Sequence, residues 1–154
     1  MNMPTEIATF ACGCFWTKQY KFSRLPGVVA TRTGYTGGHT EQPTYTQVCS
    51  KTTGHAEAVE VTFDPAVVAF TDLLRFFFSL HDPTIDRRER GGQYRSGIFY
   101  HTEEQRIIAG QVLDELREKG VKPVTQVVAA GAFWAAEERH QGWCERTGIG
   151  GGQD

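Results

Sequence analysis

The chain has 154 residues, which is enough for one domain and short for two. Its residues are 40% apolar and 12% aromatic, a composition that supports a buried core and excludes an intrinsically disordered chain. The net charge of -2 excludes a strongly basic nucleic-acid-binding surface. No apolar run approaches the roughly 20 residues of a membrane-spanning helix, and the N-terminal residues lack a signal-peptide pattern.

We therefore expect a cytoplasmic, monomeric protein with no nucleic-acid or membrane partner. In such a protein we expect the four cysteines to be free, catalytic or metal-bound thiols rather than a disulfide framework.

Hydrophobic period and turn residues predict a series of short strands and helices along the chain. The predicted strands are residues 7–12, 28–35, 55–63, 95–100 and 124–129. The predicted helices are residues 15–25, 71–80 and 135–146, together with a helix that Thr102 caps and that Lys119 and Gly120 end. Strands and helices mix without strict alternation, which predicts a layered α+β domain. No repeat or linker divides residues 1–154, so we expect one domain, with residues 147–154 forming a flexible glycine-rich tail.

Cys14 follows the first predicted strand and directly precedes the first predicted helix. Backbone N–H groups and the dipole at a helix N-terminus favour an anion. A cysteine there can have its pKa lowered to about 3.5–7.5, which would make it a nucleophile at neutral pH. The alternative is a small buried side chain without reactivity, a common use of free cysteine.

Glu57 is the second anomaly, because period-2 alternation puts it on the same strand face as Val59, Val61 and Phe63. Carboxylates are seldom buried without a purpose or a partner. Burial would raise the pKa of Glu57 and keep it protonated as an acid. The alternative is a frayed strand end, at which Glu57 simply reaches water.

Two tyrosines stand beside glycine clusters, where a phenol can point into a cleft. They are Tyr35 and Tyr94. A thiolate, a neutral carboxylic acid and two phenols suit nucleophilic attack on a centre whose oxygen must be protonated. No zinc-ligand spacing, Gly-x-Gly-x-x-Gly or Walker loop is present, so neither a metal nor a cofactor is expected.

Four segments stand in an order and at a spacing that are typical of one family. They are Gly13-Cys14-Phe15-Trp16, Gly34-Tyr35-Thr36-Gly37-Gly38, Gly54-His55-Ala56-Glu57-Ala58-Val59 and Gly92-Gln93-Tyr94-Arg95-Ser96. These segments resemble the successive motifs of the peptide methionine sulfoxide reductase A family. The resemblance implies an α+β two-layer sandwich, related to the ferredoxin-like split βαβ fold, with a mixed sheet.

The resemblance also implies a reaction, the reduction of methionine (S)-sulfoxide, free or in proteins, through a sulfenic acid. By resemblance Cys14 is the nucleophile and Glu57 its acid. The two phenols that bind the sulfoxide oxygen match Tyr35 and Tyr94, and the wall that receives the methyl group matches Phe15 and Trp16. Thioredoxin or a similar dithiol would supply the electrons.

The sequence departs from the family pattern at several positions. Gln19 stands where Glu is frequent, and Glu89 stands where an Asp is expected to contact substrate. Thr147 occupies the usual recycling-cysteine position, and the nearest thiol is Cys144. We therefore predict a Cys14–Cys144 disulfide as the oxidised intermediate.

Cys12, where the family usually has glycine, remains an alternative partner for that disulfide. Cys49 is expected in the core. Two other classes remain open from the residues alone: a cysteine hydrolase or acyltransferase with His55 or His140 as base, and a non-catalytic thiol or metal module using Cys12 and Cys14.

Overall fold

The computed structural model describes residues 4–87 and 92–148. Its strands form one mixed six-stranded sheet in the order β5-β4-β1-β3-β2-β6. Neighbouring strands are antiparallel except for the β4–β5 pair, which is parallel. The strands are β1 Glu6–Cys12, β2 Val28–Thr36, β3 Ala56–Phe63, β4 Ser96–Tyr100, β5 Gln126–Ala129 and β6 Phe133–Ala135.

The described residues also form five α-helices and a short 3-10 turn at Glu138–His140. The helices are α1 Phe15–Ser23, α2 Tyr45–Cys49, α3 Phe70–Ser79, α4 Glu103–Glu118 and α5 Trp143–Thr147. The Thr102 hydroxyl accepts the backbone N–H of Gln105 and caps α4 as predicted. Among the described residues, no helix combines the length and the apolar character that crossing a bilayer requires.

The core lies between one face of the sheet and helices α1 and α3. Phe10 of β1 stacks on Phe22 of α1 and on Phe77 of α3, with ring centroids 5.2 Å apart in both pairs. On β3 the period-2 prediction is confirmed, because Val59, Val61 and Phe63 are buried in this core. Full burial of such a side chain stabilises the fold by about 1.5–3 kcal/mol.

The opposite face of the sheet carries a smaller apolar cluster. Ala11, Ala58 and Phe99 are buried there, with Ala130 and Phe133 packed against them. The chain after β5 therefore covers part of this face before it continues into β6.

The mixed α+β prediction is confirmed, but the predicted helix at residues 135–146 forms only in pieces, as the 3-10 turn and α5. Its first residue, Ala135, belongs to β6, which pairs with β2 through Gly34–Ala135, Tyr35–Trp134 and Thr36–Phe133. Gly142 then adopts a left-handed conformation with φ 63° and separates the 3-10 turn from α5. The tail prediction falls on residues 149–154, which lie outside the described residues, and on Thr147 and Gly148, which end α5.

Candidate active site

Cys14 is half-buried between the end of β1 and the first residue of α1. Gly13 makes the turn at φ +116°, a conformation that a residue with a Cβ rarely adopts. The N–H groups of Trp16 and Thr17 hydrogen-bond toward the Cys14 sulfur and lower its pKa. Burial is the largest influence, however, and it raises the pKa of the thiol above its usual value, with the Glu57 charge adding to the rise. The expectation of a lowered pKa at Cys14 is wrong for this state.

Glu57 lies directly beside the nucleophile and is 1% exposed. One of its carboxyl oxygens accepts the Phe15 N–H at 3.2 Å, and the other accepts Gln93 Nε2 at 2.5 Å. Burial raises the pKa of Glu57 to about 7, while hydrogen bonds from Gln93, Phe15 and Tyr94 lower it less strongly. The predicted burial and raised pKa are confirmed.

Tyr94 is half-buried and its hydroxyl faces Glu57 and Cys14. Burial, followed by the charged forms of Glu57 and Cys14, raises the pKa of Tyr94 to about 12. Two cations lie beside its ring, with Lys51 Nζ 5.5 Å and Arg87 Cζ 5.9 Å from the ring centroid. The phenol therefore remains a neutral hydrogen-bond donor at physiological pH.

The Tyr35 hydroxyl is committed elsewhere, which corrects the sequence prediction. Tyr35 is fully buried and donates to Glu137 Oε1 at 2.8 Å, and burial is the main cause of its raised pKa. Glu137 Oε2 accepts the backbone N–H of Tyr45 at 3.0 Å. Tyr35 therefore supports the segment that carries Tyr45.

Tyr45 is the second phenol at the site, and sequence reasoning missed it. It is the first residue of α2, after a Thr44 cap whose hydroxyl accepts the Gln47 N–H at 3.1 Å. Burial raises the pKa of Tyr45, and its hydroxyl interacts with Cys49, Glu57 and Tyr94. The signal that could have found it is the capping box formed by Thr44 and Gln47.

An aromatic wall stands next to the nucleophile. Trp16 stacks on Trp143 with ring centroids 4.3 Å apart and planes 12° from parallel. Its indole Nε1–H donates to His140 Nδ1 at 2.9 Å. The rings of Phe15 and Tyr45 also lie against His140, at 5.6 Å and 4.4 Å. Phe15 and Trp16 are where the sequence predicted the methyl-binding wall, whereas Trp143 and His140 were not predicted to belong to it.

The histidines considered as bases for a hydrolase have other partners. His55 Nδ1 accepts the Gly38 N–H at 3.0 Å, and His55 Nε2 lies 2.7 Å from the Thr40 carbonyl oxygen. His140 Nδ1 accepts from Trp16. No His, Cys, Asp and Glu cluster that could hold a metal ion occurs among residues 4–87 and 92–148.

Comparison with known proteins decides the family. A sequence model described as "Peptide methionine sulfoxide reductase" matches residues 6–151. The chain belongs to the peptide methionine sulfoxide reductase family.

Its relatives cover nearly the whole chain. "Peptide methionine sulfoxide reductase MsrA" of Geobacter sulfurreducens is 51% identical, over 97% of this chain and 96% of the relative. The protein of the same name from Methanothermobacter thermautotrophicus is 52% identical, over 92% of this chain and 88% of the relative.

Solved structures agree with this assignment. Reduced Mxr1 from Saccharomyces cerevisiae superposes with a TM-score of 0.88 at 30% identity, covering 95% of this chain and 87% of Mxr1. Methionine sulfoxide reductase A of Corynebacterium diphtheriae gives a TM-score of 0.82 at 33% identity, covering 95% of this chain and 76% of that protein.

The departures of this reductase from the family pattern have distinct structural settings. Gln19 Oε1 accepts the Gly142 N–H at 2.8 Å and so links α1 to the start of α5. Glu89 lies outside the described residues. Cys12 is buried in the core, and burial raises its pKa to about 12.

Cys144 and Cys49 have different surroundings. Cys144 is 2% exposed and lines a cavity of about 280 Å³ with Gln19 and Tyr20 of α1. Cys49 was expected in the core, but it is half-buried and its sulfur accepts Gln93 Nε2 at 3.3 Å. Cys49 therefore belongs to the surroundings of Glu57.

Proposed function

We propose that this protein reduces methionine (S)-sulfoxide, free or within proteins, to methionine and so repairs oxidised proteins. The observation that carries the proposal is the fully buried Glu57 carboxyl, held by the Phe15 N–H beside the Cys14 thiol. The pKa of the Glu57 carboxyl is about 7, so this group can exchange one proton with the neighbouring thiol at physiological pH. Reduction of a sulfoxide needs a nucleophile at sulfur and a proton at oxygen.

The reaction starts with transfer of the Cys14 thiol proton to the Glu57 carboxylate. The Cys14 thiolate then attacks the sulfoxide sulfur, and Glu57 returns the proton to the sulfoxide oxygen. The attack joins the Cys14 sulfur to the substrate sulfur. The protonated oxygen then passes from the substrate sulfur to the Cys14 sulfur, as the sulfur–oxygen bond of the substrate and the new sulfur–sulfur bond both break. Methionine leaves, and Cys14 carries the oxygen as a sulfenic acid. The sulfoxide gains two electrons and the thiol loses two, so one substrate is reduced without a cofactor.

The phenols of Tyr45 and Tyr94 hold the sulfoxide oxygen. Both hydroxyls face Glu57, and burial keeps both protonated, so they can donate hydrogen bonds to the oxygen as its charge grows. Tyr35 acts one step further away, because Glu137 links its hydroxyl to the backbone of Tyr45.

The aromatic wall of Phe15 and Trp16 receives the methyl group of the substrate. We also propose that Glu89 contacts the substrate, because it stands at the position where the family frequently has Asp.

Regeneration of Cys14 requires a second thiol. We propose that Cys144 attacks the Cys14 sulfenic acid, giving a disulfide and water, and that thioredoxin or a similar dithiol reduces this disulfide. The crystal structure of Mxr1 from Saccharomyces cerevisiae in complex with Trx2 supports this choice of partner, with a TM-score of 0.65 at 25% identity over 90% of this chain.

The buried position of Cys144 sets a condition on this step. Cys144 is the buried residue of α5, a helix of five residues between Gly142 and Gly148, both with left-handed backbone. We propose that α5 moves away from α1 and so exposes Cys144 to the Cys14 sulfenic acid. Cys12 is the alternative partner, since only Gly13 separates it from Cys14.

The order β4-β1-β3-β2 at the centre of the sheet, with α1 and α3 as crossovers, supports a ferredoxin-like split βαβ unit in a two-layer sandwich. We further propose a single-domain cytoplasmic monomer, without nucleic-acid or membrane partners, in which the four cysteines stay reduced between turnovers.

The decisive experiment supplies both sulfoxide epimers of an N-acetylated methionine amide with dithiothreitol. The S epimer should be consumed by the wild-type protein and not by Cys14→Ser, whereas Cys12→Ala, a change in the core, is the matched control. Wild-type turnover by Cys14→Ser, or the absence of turnover of either epimer by the wild type, contradicts the proposal.

A further inference from the structure

Arg95 follows Tyr94 directly and is 7% exposed. Its guanidinium donates to the carbonyl oxygens of three glycines: Gly92 at 2.8 Å, Gly54 at 3.0 Å and Gly37 at 3.4 Å. Its Nε donates to Gln126 Oε1 at 2.9 Å. Within the described part of the chain, Arg95 is therefore held by neutral oxygens rather than by a carboxylate.

Two of these glycines leave the space that the guanidinium fills. A Cβ added to Gly37 would lie 2.6 Å from Arg95 Nη2, and one added to Gly92 would lie 2.9 Å from Nη1. Both glycines have positive φ, at +84° and +69°. The glycine clusters of the sequence thus form a cradle around one buried cation.

A buried cation whose partners among residues 4–87 and 92–148 are all neutral is a costly arrangement. Burial lowers the pKa of Arg95, which reflects the loss of hydration by the charged form. Apolar replacements of buried charges are frequently neutral or stabilising. The stability of the fold alone does not account for this arginine.

Two of the three carbonyls belong to segments that carry site groups. Gly92 immediately precedes Gln93 and Tyr94, and Gly54 lies three residues before Glu57. The Glu57 N–H also donates to the Gln93 carbonyl oxygen at 2.9 Å. The guanidinium therefore fixes the distance between the turn that carries Gln93 and the strand that carries Glu57.

We propose that Arg95 is a positioning residue for sulfoxide reduction, holding Gln93 and Tyr94 in register with the Glu57 carboxyl. This inference rests on the proposed function. Arg95 does not touch the substrate. Its contribution passes through the Gly92 and Gly54 carbonyls to the 2.5 Å contact between Gln93 and Glu57.

The test compares Arg95→Lys and Arg95→Met with the wild type. Lysine keeps the charge but lacks the planar fork that reaches three carbonyls at once. Misplacing a reacting group by about 1 Å costs on the order of 100-fold in rate, so we expect a loss of that size in the single-turnover rate with methionine sulfoxide for either variant. Arg32→Met is the matched control, because Arg32 pairs with Glu60 on the outer face of the same sheet.

A pH profile separates positioning from a general loss of stability. The Gln93 hydrogen bond lowers the pKa of Glu57, so losing its alignment raises that pKa. The limb of the single-turnover profile near pH 7 should therefore move to higher pH in Arg95→Lys, as it should in Gln93→Leu. The double variant should show no further movement, because both changes remove the same contact.

The outcomes are distinct. If the wild type reduces sulfoxide and Arg95→Lys keeps the wild-type rate and limb, the positioning role is wrong. Additive shifts in the double variant also contradict it. If Arg95→Met fails to fold, Arg95→Lys alone decides, and if Arg95→Lys fails as well, Arg95 is needed for folding and the positioning role is rejected. If the wild type does not reduce sulfoxide, the proposed function itself fails.

Discussion

The Tyr35 hydroxyl donates to the Glu137 carboxylate across 2.8 Å, although Tyr35 and Glu57 are cross-strand neighbours on one face of the sheet. The same carboxylate accepts the N–H of Tyr45. Tyr35, the cross-strand neighbour of Glu57, thus supports the segment that carries Tyr45. The hydroxyl of Tyr45, on α2, is the one that faces Glu57.

A comparison of three phenylalanine variants tests this division of roles. Removing one preorganised donor costs about 10²–10³-fold in rate, so Tyr45→Phe and Tyr94→Phe should each approach that loss in single-turnover reduction. Tyr35→Phe should lose much less rate. Its main effect should be a fall in the free energy of unfolding of about 1 kcal/mol, from one lost hydrogen bond. A rate loss in Tyr35→Phe equal to that in Tyr45→Phe would contradict the assignment.

The pH profile of the wild type should reflect one proton shared by Cys14 and Glu57. The reactive pair is thiolate and carboxylic acid, which together carry one proton. The rate should rise with pH through the Glu57 pKa of about 7, because below it both groups are protonated. It should fall only above the raised pKa of Cys14, where both groups are ionised.

Glu57→Gln should remove the limb near pH 7 and lower the single-turnover rate by about 10²–10⁴-fold. The wild-type fold should also lose stability relative to this variant as pH rises through 7, because the pKa of Glu57 is higher in the folded state than in the unfolded state. Urea unfolding at pH 5 and pH 8 measures that difference. A stability difference that is constant with pH would show that Glu57 is not buried as described.

The reactivity of the free thiols gives a test that needs no substrate. Burial raises the pKa of Cys14, so its alkylation by iodoacetamide should be slow at pH 7 and should increase above pH 9, the ordinary value. In Glu57→Gln this dependence should move to lower pH, since the Glu57 charge contributes to the rise. Mass spectrometry of the Cys14 peptide measures the rate, with buried Cys12 as the internal control. Fast alkylation at pH 6 would show that the helix N-terminus outweighs burial.

Regeneration should couple to the C-terminal helix. Cys144→Ser should leave the first turnover unchanged and abolish cycling with thioredoxin. Formation of the wild-type disulfide should also change tryptophan fluorescence, because moving α5 separates Trp143 from its 4.3 Å stack on Trp16. Cys49→Ser, which changes a thiol that contacts Gln93, serves as the comparison for cycling. If Cys12→Ser stops cycling and Cys144→Ser does not, the short bridge is the intermediate.

Much of the sheet was predictable because apolar residues alternate with period 2 along its strands. Glu57 could be placed on the buried face from Val59 and Val61 alone, and the Phe15 and Trp16 faces of α1 followed from helical spacing. The direction of the pKa shift at Cys14 could not be predicted, because it depends on how much protein covers the sulfur. The helix N-terminus is visible in the sequence, whereas the burial that outweighs it is produced by distant segments.

The roles of Tyr35 and Tyr45 could not be separated for a similar reason. Glu137 decides between them, and it reaches the site only because β6 pairs with β2. That pairing joins residues about a hundred positions apart, as the Tyr35–Glu137 separation of 102 residues indicates. β6 has only three residues, Phe133–Ala135, so the sequence carries no short-range signal for this pairing.

The five-residue length of α2 has a consequence for the order of events during opening of the fold. A helix this short is not stable in isolation, so its Thr44 cap and the Glu137 contact hold it in place. Fluctuations that melt α2 while the sheet remains intact would withdraw Tyr45 from the site. Amide protons of α2 should therefore exchange with solvent faster than those of β1 and β3, and exchange at α2 should mark an inactive, still-folded population of the enzyme.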